Sequence, residues 1–373
     1  MTSRPTPLAA APSAHTNVPT VDNVLKVHQP AASKSCDPKS HGSRRTQTLL
    51  GIGVRGIGCA LPDLIVTNDD LQQQYGMDPE WIEQRTGILE RRRAKPGEST
   101  STLAVAAARN AIENAKVSTA DIDLLVLATF TPDYRGPSSA CLVQTALNLD
   151  APAFDVQAAC SGFMYALATA GQYVATGNSR LALVIGSDVV SHCCDPSDRN
   201  IAPLFGDGAG AVLLERGRSD QGLVSYQLGS DGGLAESLLC PAGGSMRPAT
   251  PENIAAGQHH LQMEGRKVYK WAVETVTESI ALIIEQSNVC VDDISLFVLH
   301  QANIRIIDHA MNELGIPAHK VINNLDRVGN TSAASIPLVL AEAQQAGRLN
   351  TGDLVMMCGF GAGLTWGTGL FQW

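Results

Sequence analysis

The chain repeats itself, and the repeat sets narrow limits on its fold. Residues 102–114 read as an amphipathic, Ala-rich helix that leads through Asp121 and Ile122 into the apolar run Leu124-Leu125-Val126-Leu127-Ala128. At an offset of 172 residues, a second helical stretch (273–286) leads through Asp293 and Ile294 into Leu296-Phe297-Val298-Leu299-His300, with Val298 answering Val126. Each copy then continues through a helix ending near a proline (Pro152, Pro317), a turn of small residues, and a last apolar strand over 181–186 or 354–359. A duplicated β/α unit of this size buries its apolar faces as two sheets, with helices packed on and between them. Equivalent loops of the two copies then converge at the shared centre. Residues about 140 or 170 apart in sequence can therefore line one pocket.

The two small-residue turns, and the end of the second apolar strand, hold the reactive side chains. Cys160 lies in Gln157-Ala158-Ala159-Cys160-Ser161-Gly162, between an apolar strand pattern and a helical one. There it faces the unpaired N–H groups and positive end of a helix, which predicts a thiol pKa below the free value of about 8.5. His300 closes the strand pattern before Gln301-Ala302-Asn303, and Asn330 sits in Val328-Gly329-Asn330-Thr331-Ser332. A Cys, a His and an Asn at the ends of buried elements make a nucleophile with two hydrogen-bonding partners. Taken singly, Cys160 reads as a small core residue, His300 as a satisfied buried histidine and Asn330 as a helix cap. Their shared placement favours an enzyme.

Two other patterns carry less. Gly51-Ile52-Gly53-Val54-Arg55-Gly56 matches a dinucleotide fingerprint on paper, but its glycines lie inside an expected strand (49–58) and no helix follows. In His192-Cys193-Cys194, three adjacent side chains cannot turn to one ion, so no metal is expected.

Composition sets the remaining bounds. A net charge of −9 disfavours nucleic acid and anionic membranes as partners, and no apolar run approaches the length of a membrane span. The nine cysteines form no paired framework, which fits reduced thiols in a cytoplasmic setting. Residues 1–47 differ, being rich in Ala, Pro, Ser and Thr, with six basic and two acidic residues in the first 45. They read as a disordered tail or, less simply, as a plastid-type targeting segment. Two halves are expected to follow, 48–220 with the cysteine and 221–373 with the His and Asn.

From about Leu49 to the C-terminus, the chain resembles the β-ketoacyl-acyl-carrier-protein synthase III family of thiolase-fold condensing enzymes. The resemblance rests on ordered blocks: Glu80-Trp81-Ile82-Glu83-Gln84-Arg85-Thr86-Gly87-Ile88, the Cys160 segment, Phe205-Gly206-Asp207-Gly208-Ala209-Gly210, His300-Gln301-Ala302-Asn303-Ile304-Arg305, Gly329-Asn330-Thr331-Ser332, and Gly359-Phe360-Gly361-Ala362-Gly363. It implies an α/β thiolase-like fold of duplicated halves in α-β-α-β-α layers, a homodimer, and no cofactor beyond a coenzyme A thioester as substrate. It also implies initiation of fatty-acid synthesis, in which an acyl-CoA primer is condensed with malonyl-acyl-carrier protein.

By this resemblance Cys160 carries the acyl group, while His300 and Asn330 stabilise the enolate formed by decarboxylation. The backbone N–H groups of Cys160 and Ala362 form the oxyanion hole, with Ala362 replacing the family's usual glycine. Trp81, Arg85, Arg199, Phe205, Met263, Gly265, Ala302 and Asn303 are implied to bind the coenzyme A thioester, and Lys270 and Arg305 to dock the carrier protein. A bulky aromatic closes the acyl pocket of short-chain members across the dimer interface; Gly136 stands nearest that position here, so a roomier pocket is expected. Three alternatives stay open: a starter or acyl-transfer enzyme of secondary metabolism, a partner without turnover, and a degradative thiolase using Cys358 as a second catalytic cysteine.

Overall fold

The structure, a computed structural model, describes residues 46–373, so the reading of the N-terminal tail falls almost wholly outside the described residues. In chain order the elements that build the site are β1 (Gln47–Leu50), β2 (Ile52–Ala60), α1 (Pro79–Thr86), α2 (Thr100–Ala115), β3 (Leu124–Ala128), β4 (Ala153–Val156), α3 (Gly162–Ala175), β5 (Leu181–Asp188) and β6 (Gly208–Arg216). They continue with β7 (Gly222–Ser230), α4 (Gly265–Ser287), β8 (Leu296–Leu299), α5 (Ile304–Glu313), α6 (Ser335–Gln345), β9 (Leu354–Gly361) and β10 (Thr365–Gln372).

Two five-stranded sheets result, ordered β2-β6-β5-β3-β4 and β1-β7-β10-β9-β8. In each, one inner strand runs parallel to its neighbour on one side (β5 with β3, β9 with β8) and antiparallel on the other (β5 with β6, β9 with β10); β5 is central in its sheet, and β9 lies next to the edge strand β8. The almost unbroken apolar runs of β3, β5 and β9 follow from burial on both faces. Helices α3 and α6 each pack against strands of both sheets, while α2 covers the outer face of the first sheet and α4 that of the second. The layers are therefore α-β-α-β-α. The central core includes Phe163, Met164, Val184, Val298 and Ile336, all essentially buried.

The repeat extends to the helix ends. Lys116 after α2 (φ 55°) and Asn288 after α4 (φ 52°), again 172 apart, both close their helices in the left-handed region.

Two expectations about the elements need correction. The single strand over 49–58 is two strands in different sheets: β1 pairs with β7, and β2 pairs with β6. Gly51, at φ +79°, lets the chain turn from one sheet to the other, a conformation that costs glycine little. The glycines after it serve packing, since a Cβ on Gly58 would lie 2.2 Å from the Ala111 nitrogen of α2. The strand of the first repeat matches its apolar run, Leu124–Ala128, and follows a 3-10 turn, Thr119–Asp121, capped by Ser118. Helix α4 starts at Gly265, well before residue 273, adding about two turns of mixed polarity that periodicity alone did not mark.

Candidate active site

Cys160 sits in a 3-10 turn, Ala159–Ser161, between the end of β4 and the start of α3. The turn is sharp because Ala159 adopts φ 44°, a strained choice for a residue with a Cβ. The hydroxyls of Ser161 and of Thr365, from the other half, both donate to the Ala158 carbonyl, at 2.7 and 3.0 Å. The end of β9 presses on this elbow. A Cβ on Gly361 would lie 2.6 Å from the Cys160 nitrogen and 2.9 Å from its Cβ, so glycine is required there.

His300 follows β8 and is fully buried, its backbone N–H donating to the Cys358 carbonyl at 2.8 Å. Its ring meets Phe360 edge-on, with centroids 5.1 Å apart. Neither ring nitrogen has a hydrogen-bond partner among the described residues. Burial pulls its pKa down to about 3, so the imidazole is neutral near pH 7, with one nitrogen donating and the other accepting. The following Gln301 is held by Ser335, whose hydroxyl accepts from the Gln301 N–H at 2.7 Å.

Asn330 is placed by its own backbone. Its N–H donates to Leu204 O at 2.8 Å, and its carbonyl accepts from Gly206 N at 3.0 Å, which sets it beside Phe205. Its side-chain Oδ1 accepts from the Ser332 N–H at 2.9 Å. That bond fixes which end of the amide is oxygen and leaves the NH2 group toward the cavity that Asn330 lines.

Cys160, His300, Asn330, Phe205 and Phe360 meet at a cavity of about 950 Å³. Its wall also includes Trp81, Arg85, Met263, Gly265, Ala302, Asn303 and Arg305. Burial, the largest influence, pushes the Cys160 thiol up to about 12; the Asp188 carboxylate acts in the same direction, while Ser332 opposes both. The expectation of a depressed pKa is thus overturned: loss of water around the sulfur outweighs the helix end. Burial thus favours the neutral form of both the Cys160 thiol and the His300 imidazole on this cavity.

On the cavity wall, the Trp81 ring is met by two guanidinium groups, Arg199 at 4.9 Å and Arg85 at 5.8 Å from its centre. Arg305 lies 5.7 Å from the centre of the Tyr269 ring. These cations concentrate positive charge at the mouth of a chain whose net charge is −9.

The comparisons with known proteins agree with this geometry. The family model for 3-oxoacyl-[acyl-carrier-protein (ACP)] synthase III matches residues 154–232, and that for its C-terminal part matches 284–373. The β-ketoacyl-[acyl-carrier-protein] synthase III of Rhodopirellula baltica is 50% identical over 343 residues, covering 87% of this chain and 99% of that protein. That of Desulfitobacterium hafniense (strain Y51) is 45% identical over 326 residues, covering 87% and 98%. The crystal structure of 3-oxoacyl-[acyl-carrier-protein] synthase III from Aquifex aeolicus superposes with a TM-score of 0.80 at 40% identity, covering 87% of this chain and all of that one. The chain belongs to the β-ketoacyl-acyl-carrier-protein synthase III family.

Not every residue singled out in this synthase III chain lies on the cavity. Arg199 reaches it only through Trp81. Lys270 pairs with Glu274 at 3.8 Å and faces a separate groove between α4 and α5. Asn303 is on the wall, yet its side chain is engaged: Oδ1 caps α5 through the Arg305 N–H, and Nδ2 donates to Arg85 O, both at 3.0 Å. Ala362 is the next residue after the wall-forming Gly361, and its carbonyl accepts from Thr365 Oγ1. Cys358 packs in the outer core with its thiol engaged by Thr368, away from the cavity. Among the described residues no cluster of His, Cys, Asp or Glu could hold a metal ion, and no helix is long and apolar enough to cross a membrane.

Sequence reasoning missed Arg266 and Phe360 on the wall. Arg266 was open to detection, standing one helical turn before Lys270 and beside Gly265. Phe360 was hidden inside an apolar strand pattern, where nothing local separates a wall residue from core.

Proposed function

We propose that the chain is a β-ketoacyl-acyl-carrier-protein synthase III that transfers an acyl group from coenzyme A to Cys160 and condenses it with malonyl-acyl-carrier protein. In the first half-reaction the Cys160 sulfur bonds to the acyl carbon and the bond to the coenzyme A sulfur breaks. The thiol proton leaves with coenzyme A, passing by way of neutral His300. In the second, malonyl-carrier protein loses CO2, and the enolate carbon attacks the acyl-Cys160 carbonyl. The products are a 3-oxoacyl-carrier protein and, after protonation of sulfur, the free thiol.

Decarboxylation places negative charge on the thioester oxygen, and His300 and the Asn330 amide are its donors. Neutral His300 suits this role, because an uncharged donor does not hold the malonate carboxylate that has to leave. Removing one such donor costs about 3–4 kcal/mol of transition-state stabilisation. The Cys160 and Ala362 N–H groups take the oxyanion formed at the acyl-cysteine.

The observation that carries this reading is the meeting of Cys160, neutral His300 and the Asn330 amide on one cavity. Trp81, Arg85 and Arg199 receive the coenzyme A nucleotide at its mouth; Phe205, Met263, Gly265, Ala302 and Asn303 receive the rest of the thioester. Arg305 and Lys270 meet the acidic carrier protein. The enzyme works as a cytoplasmic homodimer, with the Gly136 turn leaving room for primers longer than acetyl.

Intact-protein mass spectrometry after incubation with acetyl-, isobutyryl- and octanoyl-CoA tests the proposal. A gain of one acyl group in the wild type and none in Cys160→Ala supports it. No gain with any donor overturns it. A steep loss of rate beyond acetyl-CoA removes the roomy pocket alone.

A further inference from the structure

Ser332 carries a hydroxyl that the chemistry above does not use. It opens the 3-10 turn Ser332–Ala334, and its φ of 53° is a left-handed conformation that a residue with a Cβ adopts at a cost. Such strain persists only where the surroundings impose it, and here they do. The turn packs against the Cys160 elbow, where a Cβ on Gly162 would come within 3.6 Å of the Ala333 Cβ. The Ser332 N–H is taken by Asn330 Oδ1.

The hydroxyl itself is fully buried and closes no well-formed hydrogen bond with any described residue. It nevertheless comes close enough to both the Cys160 thiol and the Asp188 carboxyl to favour the charged form of each, against the burial that raises the pKa of both. Asp188 does not depend on it. Its Oδ1 accepts from Thr129 Oγ1 (2.7 Å), Phe130 N (2.9 Å), Thr131 N (3.1 Å) and Thr131 Oγ1 (2.8 Å), and its Oδ2 accepts from Ala333 N (3.1 Å). A hydroxyl within reach of both a well-satisfied carboxyl and a sulfur that must become negative can turn to the sulfur with little loss behind it.

We infer that Ser332 is a positioning residue for Cys160: its hydroxyl rests toward Asp188 while Cys160 is a thiol and turns to donate to the sulfur as the thiolate forms. The titratable groups facing Cys160 among the described residues are Asp188 from the end of β5 and His300 from the end of β8. Phe360 and Gly361 of β9, Gly162 of α3 and the opposing turn bring no other charge. Asp188 raises the thiol pKa and His300 is neutral, so Ser332 is the side chain in this set that lowers it. The inference rests on the condensing reading only for its catalytic consequence; support of the thiolate is a property of the apo protein.

The test uses Ser332→Ala and Ser332→Gly in the full chain. Glycine removes the hydroxyl and also relieves the positive φ, so it remains informative if the alanine variant folds poorly. Three rates are compared: alkylation of Cys160 by iodoacetamide from about pH 7 to about pH 9, acylation by acetyl-CoA, and decarboxylation of a malonyl thioester. Both variants are expected to alkylate and acylate about tenfold more slowly than wild type at each pH, as for a lost hydrogen bond to a charged group. Decarboxylation is expected to stay within about twofold, because the backbone N–H that orients Asn330 is untouched. Alkylation of Ser332→Gly at the wild-type rate overturns the inference, as does a fall in decarboxylation matching the fall in acylation. A wild type that alkylates normally but takes no acyl group defeats the condensing reading instead, and the alkylation comparison still decides the role of Ser332.

Discussion

The two halves share one plan and divide one site between them. At an offset of 173 residues, the elbow Ala159-Cys160-Ser161 answers the turn Ser332-Ala333-Ala334, and both begin with a residue at positive φ. Where the first half has Cys160, the second has Ala333. Where the second half has His300 at the end of β8, the first has Ala128 at the end of β3.

The strand ends differ in the same complementary way. Asp188 ends β5 and takes the Ala333 N–H at 3.1 Å, whereas its counterpart Gly361 ends β9 with no side chain to offer. Among the described residues nothing else takes the Cys160 N–H. A symmetric scaffold thus yields two equivalent places, of which one keeps a backbone donor free beside a thiol and the other is filled and satisfied. The shared plan supplies the geometry, and the differences at these few positions leave one such place open to the cavity.

Making the halves alike should undo that division. Cys160→Ala gives the first turn the residue of the second. Acyl transfer is expected to vanish in intact-mass measurements, and adding Ala333→Cys to that variant is expected not to restore it, since the buried Ala333 lines no part of the cavity.

His300→Ala gives β8 the ending of β3. It is expected to lower malonyl decarboxylation by about 10²–10³-fold, measured as CO2 release, and Asn330→Ala by a similar factor.

Packing tests come next. Gly186 meets the Ala333 carbonyl as its counterpart Gly359 meets Ser161 and Cys160, and a Cβ would come to 2.2 Å and 3.1 Å respectively. Gly186→Ala is therefore expected to lower stability by about 1–3 kcal/mol and Gly359→Ala by less, read as a difference in denaturant midpoint.

A fourth test uses pH. His300 has a folded pKa of about 3, below its ordinary value of 6.5, so it stabilises the fold fully above pH 6.5 and progressively less as pH falls toward 3. Unfolding of His300→Gln is expected to depend less steeply on pH across that window than unfolding of the wild type. Equal slopes would mean the imidazole is not buried neutral.

The smallest effect is expected at the mouth. Trp81→Ala should raise KM for the acyl-CoA by about tenfold with kcat little changed, as for loss of a ring contact made equally in ground and transition states.

Much of this architecture is legible in the order and spacing of the residues. The repeat specified two sheets and a shared centre, and the small-residue turns marked where Cys160 and Asn330 would converge. Helices α2 and α3 and strands β5 and β9 followed from periodicity, because burial of a face is a local property that spacing records. What escaped depended on partners distant in sequence. Residues 49–58 carry one apolar pattern, but β1 joins a strand whose Tyr226 pairs with Gln47, while β2 joins the other sheet; only Gly51 hinted at the break. Phe360 and Gly361 are wall residues because β9 packs on the elbow, and Arg266 because the start of α4 lines the same cavity.

Residue type and spacing thus indicate the layers, the duplicated order and which polar side chains meet at the cavity. The protonation of Cys160 and His300, the sheet to which β1 belongs, and the completion of one pseudo-symmetric place rather than two arise only in the folded chain. Each depends on which atoms from far along the chain displace water around a group, and exclusion of water has no signature in local sequence.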